Sequence, residues 1–190
     1  TRWTGTLGSV AGMSKSGLLP VKNYLSLQFP EVERFDAQTM RPDPTYSFKL
    51  TPCYGCPWNH CHSVKVNRGR FRGLVCEEPE YGGVAAMSGL VGNLTDPEGM
   101  MALTSAVDHL GLCVKETGFT VAMAVEAFES GILTLEDTDG LQLTWGNVDA
   151  LLALIRKIAY REKGIGDLLE RGHEGQPEDR KGRRKHGRLF

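Results

Sequence analysis

The 190-residue sequence contains no apolar run approaching the ~18 residues that a membrane-spanning helix needs, so no membrane span is expected. It also lacks a basic stretch followed by an apolar one at its start. Thr1-Arg2-Trp3-Thr4-Gly5 is no secretory leader, and with no initiator Met the chain is expected to begin within a longer protein or to follow processing. Net charge is nearly absent, with 22 Lys and Arg against 23 Asp and Glu. That balance gives no electrostatic ground for binding nucleic acid or an anionic membrane. The cysteines do not come in an even number: Cys53, Cys56, Cys61, Cys76 and Cys113 are five. An odd count without a leader argues against a secreted disulfide scaffold and for a reducing, cytoplasmic setting. What is present is one domain's worth of chain, 41% apolar and 24% charged, enough to bury a sizeable core.

The patterning is mostly helical. Leu7, Val10, Met13 and Leu18 predict a short helix closed near Gly17. Five prolines between residues 20 and 52 predict an extended connector, with one short helix near Asp36–Met40. The alternating His62–Val66, a turn at Asn67-Arg68-Gly69 and a second run near Phe71–Val75 predict a small β-hairpin. Beyond Pro79 the expectation is helix throughout. One helix runs from Pro79 to Val91. A second opens on Asp96-Pro97 and closes at Gly111. A third covers Lys115–Ser130, a fourth runs from Asn147 to Arg161, and a final turn lies near Asp167–Glu170. The expected fold class is therefore mainly α, a multihelical domain over residues 1–172 with a small hairpin near the cysteine loop. Residues 173–190, with six basic residues and no acidic one between Arg180 and Arg188, read as a solvated basic tail.

Three cysteines fall within the nine residues Cys53-Tyr54-Gly55-Cys56-Pro57-Trp58-Asn59-His60-Cys61. Two thiolates separated by two residues can bind one centre from one turn, Gly55 permits the tight backbone, and a third thiolate covers another corner. Iron–sulfur clusters want four such ligands. Zinc wants a tetrahedron and would accept His60 or His62 together with Cys76. The spacing leaves both open. Tyr54 and Trp58 read as shields of the site from water. His60 and His62 read as ordinary loop residues, and Cys76 as a buried thiol.

Further residues resemble one family in order along about residues 1–172. Gly5-Thr6-Leu7 comes first, then Gly17-Leu18-Leu19-Pro20-Val21-Lys22-Asn23-Tyr24, then the cysteine loop. Glu78-Pro79-Glu80-Tyr81, Gly92-Asn93-Leu94 and Asp108-His109-Leu110-Gly111-Leu112-Cys113 follow. Glu126 to Gly131, Trp145 to Ala150 and Gly164 to Leu169 complete the series. Together they resemble the aldehyde:ferredoxin oxidoreductase family, whose relatives include tungsten-dependent aldehyde oxidoreductases and the active-site subunit of class II benzoyl-CoA reductase. The resemblance implies that Cys53, Cys56 and Cys61 bind a 4Fe-4S cluster. It implies that Asp108, Gly111 and Leu112 face one pterin of a bis-pterin tungsten (or molybdenum) cofactor. It places Glu80, and secondarily Glu78, near the metal centre. Ferredoxin or an electron-transfer subunit would receive the electrons, and further pterin-binding domains would complete the cavity in cis or in trans.

The pattern departs from the family's in four ways. The third cysteine follows four intervening residues where three are common, Gly82 follows Tyr81 where Glu is common, and Cys113 stands where many members carry Asp. Cys113 is thus either a fourth cluster ligand or a neighbour of the pterin site. The family's β-rich base and its C-terminal helical part are also missing. The expected role is a fragment or split subunit of a tungstopterin oxidoreductase, without aldehyde oxidation of its own. A non-catalytic, zinc- or cluster-stabilised helical module that docks onto a larger redox complex is the alternative.

Overall fold

Apolar side chains recurring every three to four residues build the helical body. The computed structural model describes residues 3–170, so the basic tail and the boundary at 172 lie outside the described residues. Helices α4 (Pro97–His109), α5 (Val114–Glu129) and α6 (Val148–Ala159) form its centre. Asp96 caps α4 by accepting from the Gly99 amide at 2.9 Å, and Pro97 takes the first turn, where no amide donor is needed. Asn147 does the same for α6 through the Ala150 amide. Leu151, Leu154, Ile155 and Ile158 form the buried stripe of α6. Each such side chain contributes about 1.5–3 kcal/mol by leaving water. The short α7 (Ile165–Glu170) folds back on α6, with Gly166 close against the Lys157 carbonyl.

The N-terminal part wraps this body with shorter pieces: a 3-10 turn over Thr6–Ser9, then α1 (Val10–Lys15), and later α2 (Ala37–Met40), capped by Asp36. The stretch expected to be a mere connector also contains a strand, β1 (Tyr46–Leu50). It pairs antiparallel with β2 (His62–Val66), which pairs in turn with β3 (Val75–Glu77). The expected two-stranded hairpin is thus a three-stranded sheet, and its last strand begins four residues later than Phe71. Val66 accepts from Gly73 and donates to Leu74, which closes a longer turn between β2 and β3. The register sets Phe48, Val64 and Cys76 side by side on the buried face.

The helix expected from Pro79 to Val91 also differs. It starts at Tyr81 as α3 (Tyr81–Val84), with Glu80 at its N-cap, and continues as a π-helical segment, Ala85–Leu90. The segment is packed closely on two sides. Gly89 lies so close to the Pro20 carbonyl that a Cβ would collide with it, and a Cβ on Gly118 of α5 would meet that of Ala86 at 2.7 Å. The segment's carbonyls are used by a left-handed turn at Lys22-Asn23-Tyr24. The Lys22 amide donates to Gly89 O, and that of Asn23 to Leu90 O. The Asn23 side chain donates to Glu126 of α5 at 2.5 Å.

Candidate functional site

The cysteine loop hangs between two paired strands. Leu50 pairs with His62, and the Thr51 amide donates to Cys61 O at 2.9 Å, closing the loop at its base. Inside it the Cys56 amide donates to Cys53 O, and Gly55 takes the positive φ of 69° that this reversal needs. The Cys53 and Cys61 sulfurs stand 3.6 Å apart. Their shared proton, followed by burial, pushes the Cys61 thiol up to about 11. Binding a cation here therefore means displacing protons. Tyr54 and Trp58 are exposed on the loop. The Asn59 side-chain oxygen is buried and, among the described residues, has no hydrogen-bond partner.

The donors fit a soft metal centre in kind: three thiols on one loop, with two converging. Among the described residues no three His, Cys, Asp or Glu side chains stand as a site for one ion, so Cys56 does not complete a cage with the Cys53–Cys61 pair. A cubane gives each iron its own cysteine and does not require such a cage. Cys76 is not on the loop at all. It lies in the core on the buried face of β3, where burial raises its thiol to about 11. Cys113 sits exposed at the N-cap of α5.

Strand parity brings one of the two acidic candidates, Glu78, to His62 at one end of the sheet. Period-two alternation carries the buried face from Val64 to His62 and from Cys76 to Glu78, and the Glu78 amide donates to His62 O at 2.8 Å. Their side chains meet, His62 Nδ1 lying 2.9 Å from Glu78 Oε2. Arg41, at the end of α2, places Nη2 2.7 Å from Glu78 Oε1 and 3.0 Å from His62 Nδ1. All three are buried. Burial lifts the Glu78 carboxyl to about 7 against the pull of Arg41, and burial and then Arg41 lower the His62 pKa. His62 is therefore no ordinary loop residue: it opens β2 and is held neutral inside an ion cluster.

Glu80 faces outward from the N-cap of α3. Its Oε1 lies 4.0 Å from His60 Nδ1, and the same nitrogen is 3.8 Å from Cys61 Sγ. Burial raises the Glu80 carboxyl, and His60 opposes the rise. His60 thus links the cysteine loop to the Glu78-Pro79-Glu80 segment. Asp108, Gly111 and Leu112 lie at the end of α4, where the Asp108 charge adds to burial in raising the Cys76 thiol of β3. Gly111 has the positive φ of 69°, with nothing near its missing side chain, so backbone is open to a ligand there. Asp108 is exposed at this corner, yet partial burial raises its carboxyl. Arg41 and the role of His62 carried no local signal. Only the parity of Val64 with His62 and of Cys76 with Glu78 could have flagged a polar cluster on the buried face.

Comparison with known proteins identifies the family of the chain. The family model for aldehyde ferredoxin oxidoreductase, domains 2 and 3, matches residues 1–180. The tungsten-containing aldehyde ferredoxin oxidoreductase of Pyrococcus furiosus is 35% identical over 169 residues, and that of Thermococcus kodakarensis 32% over 173. Each alignment covers 88% of this chain and 27% of the relative. The aliphatic sulfonate oxidoreductase, WOR-like subunit, of Pyrococcus furiosus is 31% identical over 169 residues, 89% of this chain and 26% of that protein. The chain therefore spans about a quarter of the length of these relatives. Over that span, it belongs to the aldehyde ferredoxin oxidoreductase family.

Proposed function

We propose that this chain forms the cysteine-loop and first pterin-motif portion of a tungstopterin oxidoreductase that converts aldehydes to carboxylic acids and passes electrons to ferredoxin or an electron-transfer subunit in the cytoplasm. The observation that carries the reading is the contact of Glu80 with the cysteine loop through His60. In this reading Cys53, Cys56 and Cys61 hold a 4Fe-4S cluster, with Cys113 as candidate fourth ligand. Asp108 accepts hydrogen bonds from pterin N–H groups, while Gly111 and Leu112 let the backbone approach. When bound, the bis-pterin tungsten (or molybdenum) supplies the two-electron oxidation and the cluster a one-electron exit. The chain's own part is positioning and proton handling. The Glu78 carboxyl, lifted to about 7, can hold a proton near neutral pH and release it at its oxygens, and burial raises the Glu80 carboxyl in the same direction. The other pterin-binding domains close the cavity in cis or in trans.

The test is anaerobic metal and sulfide analysis of the full chain. About four iron and four labile sulfide per chain, both lost in Cys53→Ser and Cys61→Ser, are expected. Absence of both from anaerobically prepared wild type would sink the assignment. The second reading, a zinc-stabilised module that docks on a larger complex, is favoured by one distance. Two thiolates on a tetrahedral zinc with ~2.3 Å bonds lie about 3.8 Å apart, close to the 3.6 Å between Cys53 and Cys61. One zinc and no sulfide would select it.

A further inference from the structure

We propose that Arg41 is a positioning residue that fixes the cysteine loop against the Glu78-Pro79-Glu80 segment. Four pieces of chain meet on its side chain. Its backbone ends α2, and its guanidinium lies over Phe48 of β1 at 4.4 Å and over the Trp3 ring at 5.4 Å. Nη2 touches His62, the residue directly after Cys61, and Glu78, two residues before Glu80. One planar group therefore sets both the last cysteine and the carboxylate facing its neighbour His60. The side chain is only 8% exposed, and its Nε has no hydrogen-bond partner among the described residues.

Burying a guanidinium with one nitrogen unsatisfied is a poor route to stability alone, because well-packed apolar residues commonly do as well or better. What a guanidinium adds is a rigid fork that stacks on aromatic faces while it bonds in its plane. Lysine offers the charge without the plane, and methionine offers neither. Relative placement of the loop and the carboxylates is thus the property that Arg41 supplies. This inference rests on the metal-centre reading above for its functional meaning, and on the contacts of Arg41 for the positioning itself.

The experiment uses the full chain as wild type, Arg41→Lys, Arg41→Met and Leu154→Ala, the last as a control destabilised in a distant part of the core. The first readout is the rate of iodoacetamide labelling of Cys61 relative to Cys53 in chelator-treated protein, followed by peptide mass. The second is the electron paramagnetic resonance spectrum and midpoint potential of the anaerobically prepared, reduced protein. Arg41→Met is expected to raise relative labelling of Cys61 several-fold and to shift the spectrum, with Arg41→Lys intermediate and Leu154→Ala unchanged. Arg41 variants indistinguishable from wild type, or a Leu154→Ala protein that moves as far as they do, would overturn the inference. A wild type without a paramagnetic cluster would defeat the metal-centre reading instead, and the labelling readout would still decide for or against Arg41.

Discussion

Replacing Glu78 by glutamine should stabilise the folded chain at alkaline pH, although it removes a side chain from a buried ion cluster. Burial lifts the Glu78 carboxyl from 4.5 to about 7. A carboxyl raised on folding contributes stability that is present below its unfolded pKa and is lost as pH rises through the folded one. The shift, 7 minus 4.5, is about 2.5 units, and at ~1.36 kcal/mol per unit it amounts to about 3 kcal/mol. Glutamine does not titrate, and it fits the site. Its oxygen can accept from Arg41 Nη2, and its amide can donate to neutral His62 Nδ1, where the two carboxylate oxygens now sit. Near pH 4, below the unfolded pKa, the two proteins should have similar stability, and near pH 8 the variant should be more stable by about 3 kcal/mol. The lowered pKa of His62 acts in the opposite sense, contributing stability that is lost as pH falls below its unfolded value, and it is present in both proteins. Urea denaturation followed by far-ultraviolet circular dichroism at the two pH values measures the gap. A gap that stays constant, or that favours glutamate at the higher pH, refutes the reasoning. A gain of this size would also mark Glu78 as a residue kept for something other than stability.

Gly89→Ala should destabilise by about 1–3 kcal/mol, because the new Cβ meets the Pro20 carbonyl, a backbone atom that cannot swing aside. Gly12→Ala, in a helix with open space around the position, should instead gain about 0.4–1 kcal/mol, and equilibrium denaturation of the pair checks both signs. Asp96→Ala should cost about 1 kcal/mol by leaving the Gly99 amide of α4 uncapped, measured as a lower urea midpoint at unchanged slope. Stripping metal with a chelator should change the environment of exposed Trp58, read by fluorescence. Far-ultraviolet ellipticity should hold, since Cys53, Cys56 and Cys61 contribute nothing to the buried core.

The helices were legible because their signals are local. Asp96-Pro97 and Asn147 cap where expected, and the apolar stripe of Leu151, Leu154, Ile155 and Ile158 is buried as its spacing requires. Strand β1 was hidden by its surroundings. Tyr46–Leu50 alternates, but Pro42, Pro44 and Pro52 flank it and make the whole stretch read as connector. The π-helical segment gave no local signal, and the residues packed closest against it, Pro20 and Gly118, are far away in sequence. The same holds for the site. Three cysteines in nine residues announce themselves, whereas the meeting of Arg41, His62 and Glu78 spans up to 37 residues and depends on sheet register. Histidine parity on β2 was the one readable trace of it.

The attachment of the cysteine loop bears on how such chains diverge. The loop leaves β1 after Leu50 and returns at His62, and these two residues pair directly across the sheet. An inserted or deleted residue between them lengthens or shortens only the arc, and the strand register and the buried faces of both strands stay as they are. The four-residue gap between Cys56 and Cys61 lies within that arc. The spacing of the three thiols can thus change through single-codon insertions while the lengths and register of β1 and β2 stay fixed.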